Sequence, residues 1–242
     1  MAANRDTNIM ENQKEEKIRL LDQAWGHAQL KMFEDAVKDC EALVGLDKDD
    51  PYSYIEMGYY YEKSGHVEQT MDCYRYLMSR FPKYSFAYSN LGHVYQTHKK
   101  RFDVAMLLYE KALELDSRNV YAVWSIGTIW QKDGEWEKAL SYYEKAAGME
   151  EKLHEKEHVY QVLRLLGWAY YRCKKYTDAC RVFNRLTLED HENCAIFSEL
   201  GCVLYKLGRF KDALASIETA LNLCEDSRYY KRQWKTVFRK CS

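Results

Sequence analysis

The residue types best able to do chemistry in this chain of 242 residues stand together in one run, His154-Glu155-Lys156-Glu157-His158. It satisfies H-E-x-x-H and, read another way, H-x-x-E-H. On a helix both spacings put two imidazoles on one face as zinc ligands, with a carboxylate beside them to act as general base. The run lies in the charged stretch EEKLHEKEH, whereas a peptidase helix is buried behind its zinc and needs a third ligand held by a surrounding fold. It is therefore read as a solvated helix extension, and a zinc metallopeptidase is the alternative of a different class. Eight cysteines, at 40, 73, 173, 180, 194, 202, 224 and 241, include no C-x-x-C pair. They read as unpaired thiols, mostly small apolar fillers, in a reducing compartment, which gives a cytoplasmic expectation. No Ser-His-Asp arrangement, phosphate-cradling glycine loop or nucleotide motif can be placed. The expectation is no catalytic residue, no metal and no cofactor.

The elements that would position any site repeat along the chain. Tyr109, Ala112, Leu115 and Asp116 close one helical pattern, and Tyr143, Ala146, Met149 and Glu150 close the next, thirty-four residues on. Such a period marks a helix-turn-helix array. Six units align on a small residue in the first helix, at Ala24, Gly58, Gly92, Gly127, Gly167 and Gly201. A second small residue follows in the second helix, at Ala36, Thr70, Ala105, Ala139, Ala179 and Ala213. These two positions are read as the places where the helices of a pair approach most closely. The units run 17–50, 51–84, 85–119, 120–153, 160–193 and 194–227, with one extra residue in HKKRF and a short insertion at 154–159. Residues 1–16 are polar and aperiodic, and are expected as a flexible tail. Residues 228–242 form a basic amphipathic helix whose apolar side can cap the last unit.

The units resemble the tetratricopeptide repeat family, whose pattern is a Trp-x-x-Leu-Gly-x-x-Tyr helix followed by a helix with Ala, an aromatic and Ala, then Pro. Leu91-Gly92 with Tyr95 and Leu166-Gly167 with Tyr170 carry it, and the closing Pro stands only at Pro82. The resemblance covers roughly residues 17–227. It implies an all-α, right-handed superhelical solenoid of about six antiparallel helix pairs, with the first helices lining a concave face. Some members bind acidic chaperone tails through a Lys and Asn clamp; here those places hold Leu21, Trp25, Glu56, Phe86 and Asn90, so that clamp is not supported.

Composition restricts the partner. Lys and Arg (36) nearly balance Asp and Glu (37), which leaves no bulk field to attract nucleic acid, and no stretch has the length and apolarity of a membrane span. Aromatic residues recur on the first helices, at Trp25, Tyr52, Tyr59, Phe86, Tyr121, Trp124, Trp168, Tyr171 and Tyr205. Rigid aromatic surface is the usual material of binding hot spots. Basic residues accompany it at Lys63, Lys132, Arg164, Arg172 and Lys206. The expected function is a non-enzymatic scaffold or adaptor holding a protein or peptide partner, acidic or aromatic in character, on Trp25, Tyr59, Phe86, Tyr121, Trp124, Arg164, Trp168, Tyr171, Arg172 and Tyr205. The alternative within binding is a self-associating homo-oligomer.

Overall fold

The computed structural model describes residues 2–149, 151, 153, 156–224 and 227–241, with side chains from residue 12 onward except Cys241. Those residues hold thirteen α-helices and no strand. The chain divides into two compact units, Met1–Ala122 and Val123–Ser242. In the first, α1 (Ala2–Gln29) packs on α2 (Phe33–Leu46), α3 (Pro51–Lys63) on α4 (Val67–Arg80) and α5 (Ser85–Thr97) on α6 (Phe102–Leu115). The second is built from α7 (Val120–Lys132), which begins at the boundary, and α8 (Trp136–Ala147), followed by α9 (Lys156–Arg172) on α10 (Tyr176–Glu189). There α11 (Cys194–Lys206) packs on α12 (Phe210–Leu223), and α13 (Arg228–Cys241) lies against α12.

One expectation about the segments outside the repeats changes. The polar N-terminal stretch, expected as a flexible tail, is part of α1 from Ala2 onward. No Gly or Pro occurs before Gly26, and Ala, Met, Glu, Gln and Lys are good helix formers. Once Leu20 and Ala24 are buried against α2, no residue upstream stops the helix. The insertion similarly lengthens an element, since Lys156, Glu157, His158 and Val159 form the first turn of α9, a helix of 17 residues.

The close approach within each pair differs from the small-against-small contact expected from sequence. A Cβ placed on Gly58 would lie 2.6 Å from the Tyr74 ring, on Gly92 2.8 Å from Tyr109, on Gly127 2.7 Å from Tyr143, on Gly167 2.9 Å from Phe183 and on Gly201 2.6 Å from Ile217. The group filling each notch therefore comes from the residue four places after the small residue of the second helix, one turn further along the same face. The first pair inverts the sizes: Ala24 has the methyl group, and the residue four after Ala36 is the small Cys40, which is fully buried. Two of the tyrosines are also fixed at the hydroxyl end. Tyr109 donates to Gln96 Oε1 at 2.7 Å and Tyr143 to Gln131 Oε1 at 2.6 Å.

Each pair turns through one residue in the left-handed region: Gly65, Gly134 and Gly208, but also Lys31, Lys100 and Lys174 at φ of 59°, 55° and 61°. In five of the turns the following N–H reaches the carbonyl five residues back, as in His66 to Tyr61 (2.8 Å) and Lys175 to Tyr170 (2.9 Å). This is the hydrogen bond that closes a Schellman C-cap. In the third, Arg101 N–H bonds six back to Tyr95 at 3.0 Å, so the extra residue of HKKRF is absorbed in the turn and the helices keep their register. Successive pairs are joined through capping residues. Asn119, buried, accepts from Ala122 N–H (3.0 Å) and donates to Ser85 Oγ (3.2 Å); Asn193 accepts from Ala195 N–H (3.2 Å) and donates to the Tyr160 hydroxyl (2.8 Å). One side chain in each case satisfies a helix start and ties it to the helix 33 or 34 positions earlier.

Candidate partner-binding faces

In the first unit the first helices α1 and α3 present aromatic surface directly to solvent. Trp25 is 65% exposed, Tyr52 51% and Tyr59 44%. Phe86 and Tyr121 are half-buried and meet edge to face, centroids 6.1 Å apart. Lys63 stands over the Tyr59 ring at 5.0 Å, an intramolecular cation–π contact. Beside them Glu62 is shared between two imidazoles, His98 Nε2 at 2.9 Å and His93 Nε2 at 3.4 Å. Burial pushes the Glu62 carboxyl up, but the two histidines outweigh it and hold it below its usual value.

In the second unit the same helix positions are occupied differently. Trp124 is half-buried, packed on the cluster of Ala139, Leu140, Tyr143, Leu166 and Ala169, with the His158 ring 5.7 Å away. Trp168 is half-buried between Tyr171 (5.3 Å) and Phe183 (6.0 Å). Tyr171 and Tyr205 are half-buried too, resting on Tyr176 and Phe210. Both arginines expected to draw an acidic partner are already engaged. Arg164 Nε donates to both carboxylate oxygens of Glu199 at 3.0 Å, and Arg172 lies over the Trp136 ring at 4.6 Å. Glu199, whose side chain is only 10% exposed, was not singled out from sequence. It stands 35 residues from Arg164, close to one repeat period, and that spacing was the available signal.

The other chemical candidates resolve as follows. His154 and Glu155 lie outside the described residues, and His158 is half-buried against Trp124. Among the described residues no cluster of three or more His, Cys, Asp or Glu is arranged to hold a metal. The expectation of unpaired cysteines is corrected, because Cys194 and Cys224 form a disulfide with Cα atoms 6.2 Å apart. Cys194 opens α11 and Cys224 caps α12, so the hairpin brings its own two ends together, at positions that show no spacing motif. The argument for a reducing compartment falls with it. Cys40, Cys73, Cys173, Cys180 and Cys202 are free, and burial pushes the Cys40 and Cys73 thiols well up, so neither is a ready nucleophile.

Paired helices with a glycine notch, a left-handed turn residue and a common period define a helical-hairpin repeat protein. Tetratricopeptide repeat family models match residues 87–119, 125–156 and 196–227, and the chain is a tetratricopeptide repeat protein. It is 30% identical over 129 residues to a TPR repeat-containing protein of Methanocaldococcus jannaschii, covering 49% of this chain and 22% of that one. It is 26% identical over 158 residues to anaphase-promoting complex subunit 3 of Schizosaccharomyces pombe, covering 65% of this chain and 23% of that one. The chain thus spans less than a quarter of the length of these relatives. Among solved structures, one of the APC/C hetero-tetramer Cut9-Hcn1 superposes with TM-score 0.73 at 14% identity, covering 96% of this chain and 44% of that one. YrrB, described as a TPR protein with an unusual peptide-binding site, superposes with TM-score 0.63 at 19% identity, covering 81% and 97%. These likenesses establish an all-α repeat fold. Among the described residues no helix is long and apolar enough to cross a membrane.

Proposed function

We propose that this chain is a non-enzymatic scaffold whose first-helix face holds a peptide segment of a partner protein. The observation that carries this reading is the exposure of Trp25, Tyr52 and Tyr59 on neighbouring first helices of one unit. Three large aromatic side chains on one face cost free energy in water and are the residue types that dominate interface energetics. The fold supports it in a general way, since repeat arrays expose long surfaces that need no catalytic apparatus. Trp124 and Trp168 are packed against their own unit, whereas the rings of the first unit are open.

Second helices expose apolar residues as well, Leu107 at 67% and Leu188 at 84%, and this fixes the control. A photo-crosslinking phenylalanine analogue placed at Tyr59, at Leu107 or at Leu188 in the full chain is irradiated in extract of the native cell. Crosslinks to a defined partner segment are expected from position 59, and they should be lost in a Trp25→Ala background. Crosslinks confined to 107 or 188 would move the binding surface to the second helices.

A further inference from the structure

We propose that the outer face of α13 is a docking surface for an anionic lipid bilayer, on which the helix lies flat without crossing the hydrocarbon. It is independent of the peptide face proposed above. The helix carries Arg228, Lys231, Arg232, Lys235, Arg239 and Lys240 and no acid, and all six cations are exposed. At 3.6 residues per turn the first five fall within an arc of about 100°. The opposite side is fixed to the last helix pair. Val237 is buried there and Trp234 packs into the same cluster; Trp234 Nε1 donates to Glu218 Oε1 at 3.0 Å, and Ser198 Oγ donates to Gln233 Oε1 at 2.7 Å. The basic side therefore faces outward in the folded protein.

Helix stability does not account for this pattern. Arg228 opens the helix, where the macrodipole favours anions, and only Arg239 and Lys240 in the last turn gain from it. Arg228 and Arg232, Lys231 and Lys235, and Lys235 and Arg239 are like charges four apart, a spacing at which they repel. Elsewhere cations at such spacings are given acids, as in α10, where Arg181 meets Asp178 at 3.0 Å and Arg185 meets Glu189 at 2.7 Å. Among the described residues no carboxylate meets any of the six cations of α13. The chain as a whole has 36 Lys and Arg against 37 Asp and Glu, so outside α13 it is net acidic and the positive field belongs to this helix. Anions brought from outside relieve the self-repulsion.

Shape selects the bilayer among anionic partners. The strip is the convex side of one helix of 14 residues, about 21 Å long at 1.5 Å per residue. Single-stranded nucleic acid is held by a basic groove combined with a platform of stacking rings. Here the exposed rings are Tyr229 and Phe238, and they stand at the two borders of the cationic arc, where they can settle at headgroup level while the cations meet lipid phosphates. Clusters of four to eight Lys or Arg on an amphipathic helix are of the size that anionic leaflets attract.

The test uses the full chain and sedimentation with vesicles of phosphatidylcholine and phosphatidylserine, mixed at roughly 2:1 to supply the negative surface potential. Binding is expected to these vesicles and not to phosphatidylcholine alone, with release when salt is raised to about 1 M, where the screening length falls to about 3 Å. Lys231→Gln, Lys235→Gln and Arg239→Gln together should lower the partition coefficient about 100-fold, from the contribution of each Lys or Arg near a charged leaflet. Hydrogen-exchange protection of α13 should stay the same or rise in that variant, because repelling pairs are removed, so the loss of binding is not a loss of fold. Equal binding to phosphatidylcholine alone, no binding to either vesicle, or a triple variant that binds as well as the parent chain would overturn the docking surface. Tighter capture by a single-stranded oligonucleotide or by poly-glutamate, at equal anion concentration, would also overturn it and reassign the strip to nucleic acid or to an acidic protein.

Discussion

Replacing Gly127 by Ala adds one methyl group at a place where the expected gain and the expected cost differ in origin and can be separated. In an open helix interior the change stabilises by about 1 kcal/mol, since Gly sits roughly that far below Ala in helix propensity. Here the new Cβ would stand 2.7 Å from Tyr143 Cε1, 3.0 Å from Cδ1 and 3.2 Å from the Tyr142 Cβ. That is roughly 1 Å short of the about 3.5–4.0 Å separation of optimal carbon contact. The Tyr143 ring cannot easily move, being fully buried and held at its hydroxyl by Gln131. Overpacking a fixed neighbour costs about 1–3 kcal/mol, so the net change is a loss near 1 kcal/mol. In a Tyr143→Leu background the clash is gone and the same Ala should instead stabilise, giving a coupling of about 2 kcal/mol for a pair in direct contact. Native-state hydrogen exchange of the α7 and α8 amides reads each change in place, which suits an array whose unfolding need not be two-state. Gly26→Ala in α1, where an added Cβ meets nothing within 4 Å, should show the gain alone. Additive effects of Gly127→Ala and Tyr143→Leu would refute the notch.

Other consequences can be measured in parallel. Lys174→Gly should stabilise the α9–α10 turn by up to about 1 kcal/mol, because a non-glycine residue in the left-handed region costs about 1–2 kcal/mol and the added unfolded-chain entropy of Gly offsets only part of that; thermal melts against Gly208→Ala, which should lose stability, check the sign. Reducing the Cys194–Cys224 bond, which closes a separation of 30 residues, should cost the last pair about 3–4 kcal/mol on the chain-entropy account, seen as faster exchange in 194–223 with Cys194→Ser/Cys224→Ser as the reduced reference. Glu62 titrates below its usual 4.5 when folded, so its share of stability is present above that pH and is lost as pH falls through the lower folded value. Acid titration of exchange in α3 and α5 should show this loss, and Glu62→Gln should abolish it.

The period, the all-helical class and the first-helix aromatic positions were legible in the sequence because each is repeated and therefore averaged over six units. What occupies the glycine notch was not, since Ala105 and Tyr109 lie on one helix face and spacing alone does not say which of them reaches across. The residues that join successive pairs, Asn119 and Asn193, recur imperfectly, with Asp50 in the corresponding earlier place accepting from Tyr52 N–H, and so gave no motif. Arg164 read as a free cation because its partner is supplied by the next pair, and Trp124 and Trp168 read as open because periodicity assigns a face but not the size of its neighbours. Where the neighbours are small or charged, as around Trp25 and Tyr52, the same positions are exposed.

The reversal of sizes between Ala24 with Cys40 and Gly58 with Tyr74 bears on how such a chain can be cut and rejoined. A first helix carrying Ala24 cannot be set against a second helix carrying Tyr74 without a collision, and one carrying Gly58 against Cys40 would leave a hollow the size of a phenol ring, costly in proportion to its volume. Helices of this array are therefore not separately interchangeable, and only whole hairpins are. Crossover points that preserve a folded product lie between pairs, near Asp50, Asn119 and Asn193, and a chimera joined inside a turn such as 64–66 would inherit mismatched halves of a notch.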